Sequence, residues 1–179
     1  MTFIAHIGAG VVGAFLLDTF LFHRPLTTET LGLAVGLSLL PDVDALAVAA
    51  LKRNWPLGEG KNEHHTSFTH TPFFYLALAI VLAQFLPARW VLIFSALTLL
   101  HLALDSWATD DGIMWLWPHT ERQYALLPVP ARDEDIYGPR FYGRYYFEER
   151  RPAAWAEVGL ALMGLGVAVS ALAPLLAGL

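Results

Sequence analysis

Hydrophobic residues run through this chain in long blocks, and polar residues break the blocks at only a few places. Five apolar segments stand out: Phe3 to Phe22, Thr30 to Leu51, Pro72 to Leu86, Val91 to about Trp107, and Ala153 to Leu179. They approach or exceed the roughly 17 to 25 residues that a helix needs to cross a bilayer, the third being the shortest. Thr71 before Pro72 marks a helix start, because proline fits the first helical position, where no backbone donor is needed. Pro87 ends that helix, and the short link after it makes the third and fourth segments an antiparallel hairpin. The pattern predicts an all-α fold: a polytopic membrane helical bundle of about five apolar helices, forming a single membrane-embedded domain over residues 1–179. A long aromatic-rich segment, 108–152, separates the fourth helix from the fifth and reads as a loop or lid, with 153–179 as the C-terminal membrane helix.

Composition agrees with the pattern. The chain is 56% hydrophobic and 15% charged, against roughly 45 to 50% and 25% in soluble domains. Its mean hydropathy of +0.49 leaves room for a sizeable polar portion outside the bilayer. There is no cysteine, so histidine and carboxylate are the strong metal ligands on offer. A net charge of -5 gives no footprint for nucleic acid. The first residues, MTFIAHIGAG, lack the basic stretch of a cleavable signal and read as a retained first helix.

Positive charge sets an expected orientation. With five crossings, the N-terminus and the loops 51–71 and 108–152 share one side, which holds Lys52, Arg53, Lys61, Arg122, Arg132, Arg140, Arg144, Arg150 and Arg151. The other side holds Arg24 and Arg89. The positive-inside tendency makes the first side cytoplasmic and puts the C-terminus outside.

The strong ligand candidates fall on that same side. His6 lies near the start of the first helix, Asp42 and Asp44 near the end of the second, His64, His65 and His70 in the adjoining loop, and His101 and Asp105 near the end of the fourth. Such groups are costly in a membrane and normally mark a site. His101 and Asp105 are four apart and project from one helical face, where they can reach one ion or two neighbouring ions. His65 and His70, five apart, meet only in a loop or at a helix start. Asp42 and Asp44 follow Pro41, which interrupts a regular helix; either both turn inward or one is a ligand and the other orients a histidine. His64 reads as a solvated loop residue, His119 as a residue lining the site, and Asp18 as the partner of another polar group. Gly8, Gly10 and Gly13 read as helix-packing positions.

The ordered set LLPDVD, HTSFTH and HLALDSWATDDGIMWLWP resembles the YdjM-type family of inner-membrane-associated metal-dependent hydrolases, over roughly residues 1–128. The resemblance implies a bacterial-type inner membrane protein in which His6, Asp42, Asp44, His65, His70, His101 and Asp105 hold the metal. A more distant similarity is to the helical zinc-dependent phospholipase C and single-strand nuclease group.

Four histidines and three carboxylates exceed the needs of one four-coordinate ion, so two ions are expected, zinc first, with manganese or iron as alternatives. Such a centre suits metal-assisted hydrolysis of an ester or phosphoester, lipid-linked or soluble, with Asp105 bridging and Asp44 as general base if it is not a ligand. The other classes compatible with these residues are a structural or regulatory metal centre and a small ion transporter.

The topology is open to direct measurement, because single cysteines introduced at Ser67, Arg132 and Gly178 meet no native thiol. With a membrane-impermeant reagent on intact cells, only the Gly178 variant is expected to label. Labelling at Ser67 with Gly178 protected would invert the orientation, and labelling at both would contradict five crossings.

Overall fold

The computed structural model describes residues 2–44, 63–107, 109, 111–128, 147–148 and 151–176. All five expected helices are present. Helix α1 spans Phe3–Leu16 and runs on into a π-helical turn, Leu17–Leu21; α2 is Thr28–Leu39, α3 Pro72–Leu82, α4 Ala88–Asp105 and α5 Arg151–Leu176. Among the described residues there is no strand, only isolated bridges pairing Trp107 with Leu126 and Ile113 with Tyr124.

Three helical stretches are long and apolar enough to cross a membrane: Phe3–Leu21, Ala88–Asp105 and Pro152–Pro174. The 12 residues of α2 and 11 of α3 are about 18 and 17 Å long, well short of a hydrocarbon core of about 30 Å. The second apolar block is interrupted at Pro41, as its sequence predicts. Its helix stops at Leu39, just before Pro41, which has no N–H to extend the ladder. The chain then turns, with Asp42 N–H on Leu39 O at 3.1 Å and Val43 N–H on Leu40 O at 3.2 Å. Residues 45–51 of that block lie outside the described residues, as do His64's side chain, much of the expected loop or lid, and 177–179.

Helix α3 starts as its sequence predicts. Thr71 caps it, the hydroxyl accepting the N–H of Phe74 at 3.4 Å, and Pro72 takes the first turn. The turn after Leu82 and Pro87 folds α4 back against α3. Their contact buries Tyr75, Ala79, Phe94 and Leu102 together with Ile113 from the segment after α4.

Helix α1 is the hub, touching α2, α4 and α5, and its glycines allow this. A side chain at Gly8 would run into the backbone of Leu160 and Ala161 on α5, and one at Gly164 would strike Gly8 in return. A side chain at Gly10 would meet Ser38 of α2, and one at Gly13 the Leu97 side chain of α4 at 3.0 Å. Small residues thus let three helices approach α1 closely, the packing expected where lipid supplies no hydrophobic drive between helices. Val11 and Ala14 then join Ala34, Ile93 and Leu97 in the central apolar cluster.

Each end of this bundle carries a polar cluster. At one end Asp18, fully buried, receives Arg89 Nη2 at 2.8 and 3.0 Å and Arg89 Nε at 3.2 Å, while the same guanidinium reaches Thr30 Oγ1 at 2.9 Å. Asp18 is thus paired with a polar group away from the histidines, as its sequence position suggested. The π-turn carries Asp18, and His23, with φ 52°, closes it as Arg24 N–H bonds to Asp18 O at 2.8 Å.

Replacing Gly8 by leucine is expected to destabilise the protein by about 1–3 kcal/mol or more, because backbone atoms cannot move aside for it. The control is Gly159→Leu, where an added carbon meets nothing within 4 Å. Thermal unfolding in detergent should show a lowered midpoint for the first variant and little change for the second; equal tolerance would contradict the close α1–α5 crossing.

Candidate metal centre

The opposite end of the bundle gathers the histidines. Helix α4 delivers Asp105 as its last residue and His101 one turn earlier, so both point the same way. Helix α1 delivers His6 from its first turn, the turn after α2 delivers Asp42, and two short 3-10 turns, Glu63–Thr66 and Phe68–His70, bring His65 and His70 in from the side. The His65 to His70 segment is thus no regular helix but two short turns ahead of α3, the condition under which its two histidines can meet.

Asp105 is the centre of the cluster. It is 2% exposed. Its Oδ2 lies 2.8 Å from His101 Nε2, 3.0 Å from His70 Nε2 and 3.9 Å from His65 Nε2, and its Oδ1 lies 2.9 Å from His6 Nε2. Asp42 Oδ1 is 3.5 Å from His101 Nε2. His6 stacks on His101 with centroids 3.9 Å apart. Asp42, His70, His101 and Asp105 each offer a ligand atom, all four within 4.8 Å of one another, and all four residues are buried.

The far edges of the rings explain their orientation. His101 Nδ1 stands 2.6 Å from the carbonyl of Ser38, and His70 Nδ1 3.3 Å from that of Pro41. A carbonyl only accepts, so each Nδ1 carries a proton and donates it. Ser38 lies in the last turn of α2, where carbonyls are left without an intrahelical partner, and Pro41 in the turn just after it. Pro41 therefore does two things: it stops the helix, and it helps expose the acceptors that aim two imidazoles. His65 Nδ1 is held in the same sense by Asp111 Oδ2 at 3.0 Å.

With Nδ1 protonated, a neutral imidazole turns the lone pair of Nε2 toward Asp105. Lone pairs facing a carboxylate repel it unless a proton or a metal cation stands among them. His101 Nε2 is buried and, among the described residues, makes no hydrogen bond despite its closeness to Asp105. Protonating each ring instead would bury several imidazolium ions at one spot, a high desolvation cost. A divalent cation there would neutralise Asp42 and Asp105 together and satisfy Nε2 lone pairs, so the donor set is one that could hold a metal.

The remaining expected ligands are close but differently placed. Asp44 lies behind His70, its Oδ1 3.9 Å from Nδ1 on the ring edge away from Asp105, and its Oδ2 accepts the Thr69 hydroxyl at 2.6 Å. Of the two arrangements open for the Asp42 and Asp44 pair, this is the one with Asp42 turned inward and Asp44 beside a histidine. His65 stands one step out from the group of four. His119 is exposed.

Two carboxylates escaped the reading of the sequence. Asp111, which holds His65, is itself fixed by the Thr109 hydroxyl at 2.7 Å and the Gly112 N–H at 2.8 Å. Burial works against its ionisation, but the bonds from His65, Thr109 and Gly112 outweigh burial and bring the carboxyl down to about 2. Gly112 has φ 71°, and a side chain there would strike the backbone of Tyr124, so glycine is needed to bring Asp111 round. An Asp-Asp-Gly run looks like an ordinary turn, which is why it gave no signal. Glu157 of α5, 3% exposed, accepts the N–H of Thr2 at 2.9 Å and ties the first turn of α1, next to His6, to α5. The signal for it was present: an acid alone in an apolar helix.

No curated protein matches the chain, and no solved structure does. The match to a family extends well past the region of residues 1–128 that carries the motifs and takes in α5 as well. The chain belongs to the YdjM inner membrane protein family, which matches it over residues 1–175.

Proposed function

We propose that this membrane protein is a metal-dependent hydrolase of an ester or phosphoester, working at the bundle end that carries the histidines. The observation that carries the reading is the convergence of buried imidazole Nε2 atoms and two carboxylates, with the opposite ring edges tied to carbonyls and a carboxylate. A divalent ion held by Asp42, His70, His101 and Asp105 would supply an activated water and polarise the oxygen of the bond under attack. Zinc suits this nitrogen and oxygen donor set, with manganese and iron as alternatives.

The residues themselves have separable parts. Asp42, His70, His101 and Asp105 bind. Asp105 offers both oxygens, Oδ2 to His70 and His101 and Oδ1 to His6, a disposition suited to sharing between two ions, with His6 and His65 as the further ligands. Asp44 faces His70 and not Asp105, which favours an orienting role over that of general base. Asp111 performs the same orienting part for His65.

Transport is the weaker reading. It needs polar groups continuing through the bundle, and the few hydroxyls there are turned back on their own helices: Ser38 on Ala34 O, Ser95 on Val91 O and Thr98 on Phe94 O, at 2.5, 2.8 and 2.8 Å. The Asp18–Arg89 pair closes the far end. In the proposed orientation the metal centre is cytoplasmic and the C-terminus outside, and the substrate is reached at the inner leaflet or from the cytoplasm.

Protein purified from membranes in detergent is expected to hold transition metal by mass spectrometry, and His101→Ala to lose most of it while staying membrane-inserted. Unchanged metal content in that variant would make His101 a packing residue. Turnover of aryl esters or aryl phosphoesters should stop on chelation and return on adding zinc or manganese. Full metal content with no turnover across both classes would leave a structural or regulatory metal centre in place of an enzyme.

A further inference from the structure

An exposed aromatic surface adjoins the metal centre. Phe68 stands between His65 and His70 in the ligand loop and is 54% exposed; Phe73, in the first turn of α3, is 52% exposed. Both rings pack against Trp117, with centroids 6.3 and 5.5 Å away, and Phe68 also meets Phe74 edge-on at 5.7 Å. This ledge is held firmly. The Thr71 hydroxyl donates to Phe68 O at 2.7 Å, and the neighbouring Thr69 is tied to Asp44.

The ledge continues along α3. Leu76 and Ile80 are 47% and 69% exposed, and with Phe73 they fall at helical spacings that share one face. No charged residue occurs anywhere in α3. An unbroken apolar track thus leads from the outward side of a membrane helix to the loop that carries two of the histidines. Aromatic residues are common at headgroup level; what sets these apart is their place on the ligand loop itself.

We propose that this track seats the acyl chain of a membrane amphiphile whose ester or phosphoester head lies in the metal centre, so that the substrate enters sideways from the bilayer. The proposal rests on the hydrolase reading and narrows its substrate to a lipid-like class. A small soluble substrate has no use for the ledge. The tail stays in apolar surroundings throughout, so the part of Phe68, Trp117, Phe73, Leu76 and Ile80 is to hold it by ring and side-chain contact beside the ligand loop while its head lies at the metal centre.

The test uses the metal-loaded full chain in phosphatidylcholine nanodiscs, with butylphosphonate and hexadecylphosphonate as non-hydrolysable ligands that share one head. Binding is read as slower extraction of the metal by a chelator. Both ligands should protect the metal, hexadecylphosphonate at the lower concentration. The double variant Phe68→Ser, Phe73→Ser should weaken hexadecylphosphonate by about tenfold or more and leave butylphosphonate unchanged. Equal protection by hexadecylphosphonate in both proteins would mean that partition into the bilayer explains the tail effect, and would overturn the ledge. Parallel loss of both ligands would make the phenylalanines supports of the loop and also overturn it, as would failure of either phosphonate to protect the metal. A purified protein without metal would sink the hydrolase reading and the ledge together, whereas phosphonate binding without dependence on the phenylalanines sinks the ledge alone.

Discussion

A carboxylate buried at the end of a membrane helix must be neutralised where it stands, and Asp105 imposes that requirement on everything around it. Helix α4 places it in the protein interior, at 2% exposure. Four imidazoles from three other positions in the chain and from α4 itself turn toward it. Each supplying element owes its conformation to the same need. The second apolar block breaks at Pro41, which frees carbonyls to aim His70 and His101; the loop before α3 winds into two short turns; Gly112 lets the chain after α4 swing Asp111 behind His65.

The two polar ends of the bundle solve the same electrostatic problem differently. At the far end, Asp18 is met by a guanidinium that satisfies both of its oxygens, and Arg89 also lies 4.3 Å from the Trp90 ring. That cluster is complete from the chain's own residues, and its part is to pin α1, α2 and the start of α4 together. At the near end the chain brings two carboxylates and four imidazoles together. Buried carboxylates among imidazoles at the near end form a group that could hold a metal ion, whereas the far end is a structural ion pair.

Much of this was legible in the sequence, for reasons that differ from residue to residue. The helices announced themselves because long apolar blocks have few other uses, and α3 because Thr71 and Pro72 carry a start signal of their own. His101 and Asp105 were paired by helical spacing alone. The break after α2 was legible in Pro41, although hydropathy continues to Leu51. Asp44 and Asp42 could not be told apart by spacing, since their directions depend on a turn whose geometry follows from the bonds to Leu39 and Leu40. Asp111 lay hidden because its part depends on a long-range contact, 46 residues from His65, and local sequence does not encode such contacts.

The most direct measurement is X-ray absorption at the metal edge of the protein purified from membranes. A centre built as described predicts a first shell of nitrogen and oxygen at about 2.0 to 2.2 Å, with the outer-shell scattering of at least two imidazoles, reduced in His70→Ala. A shell without imidazole, or a protein that carries no transition metal at all, would contradict it.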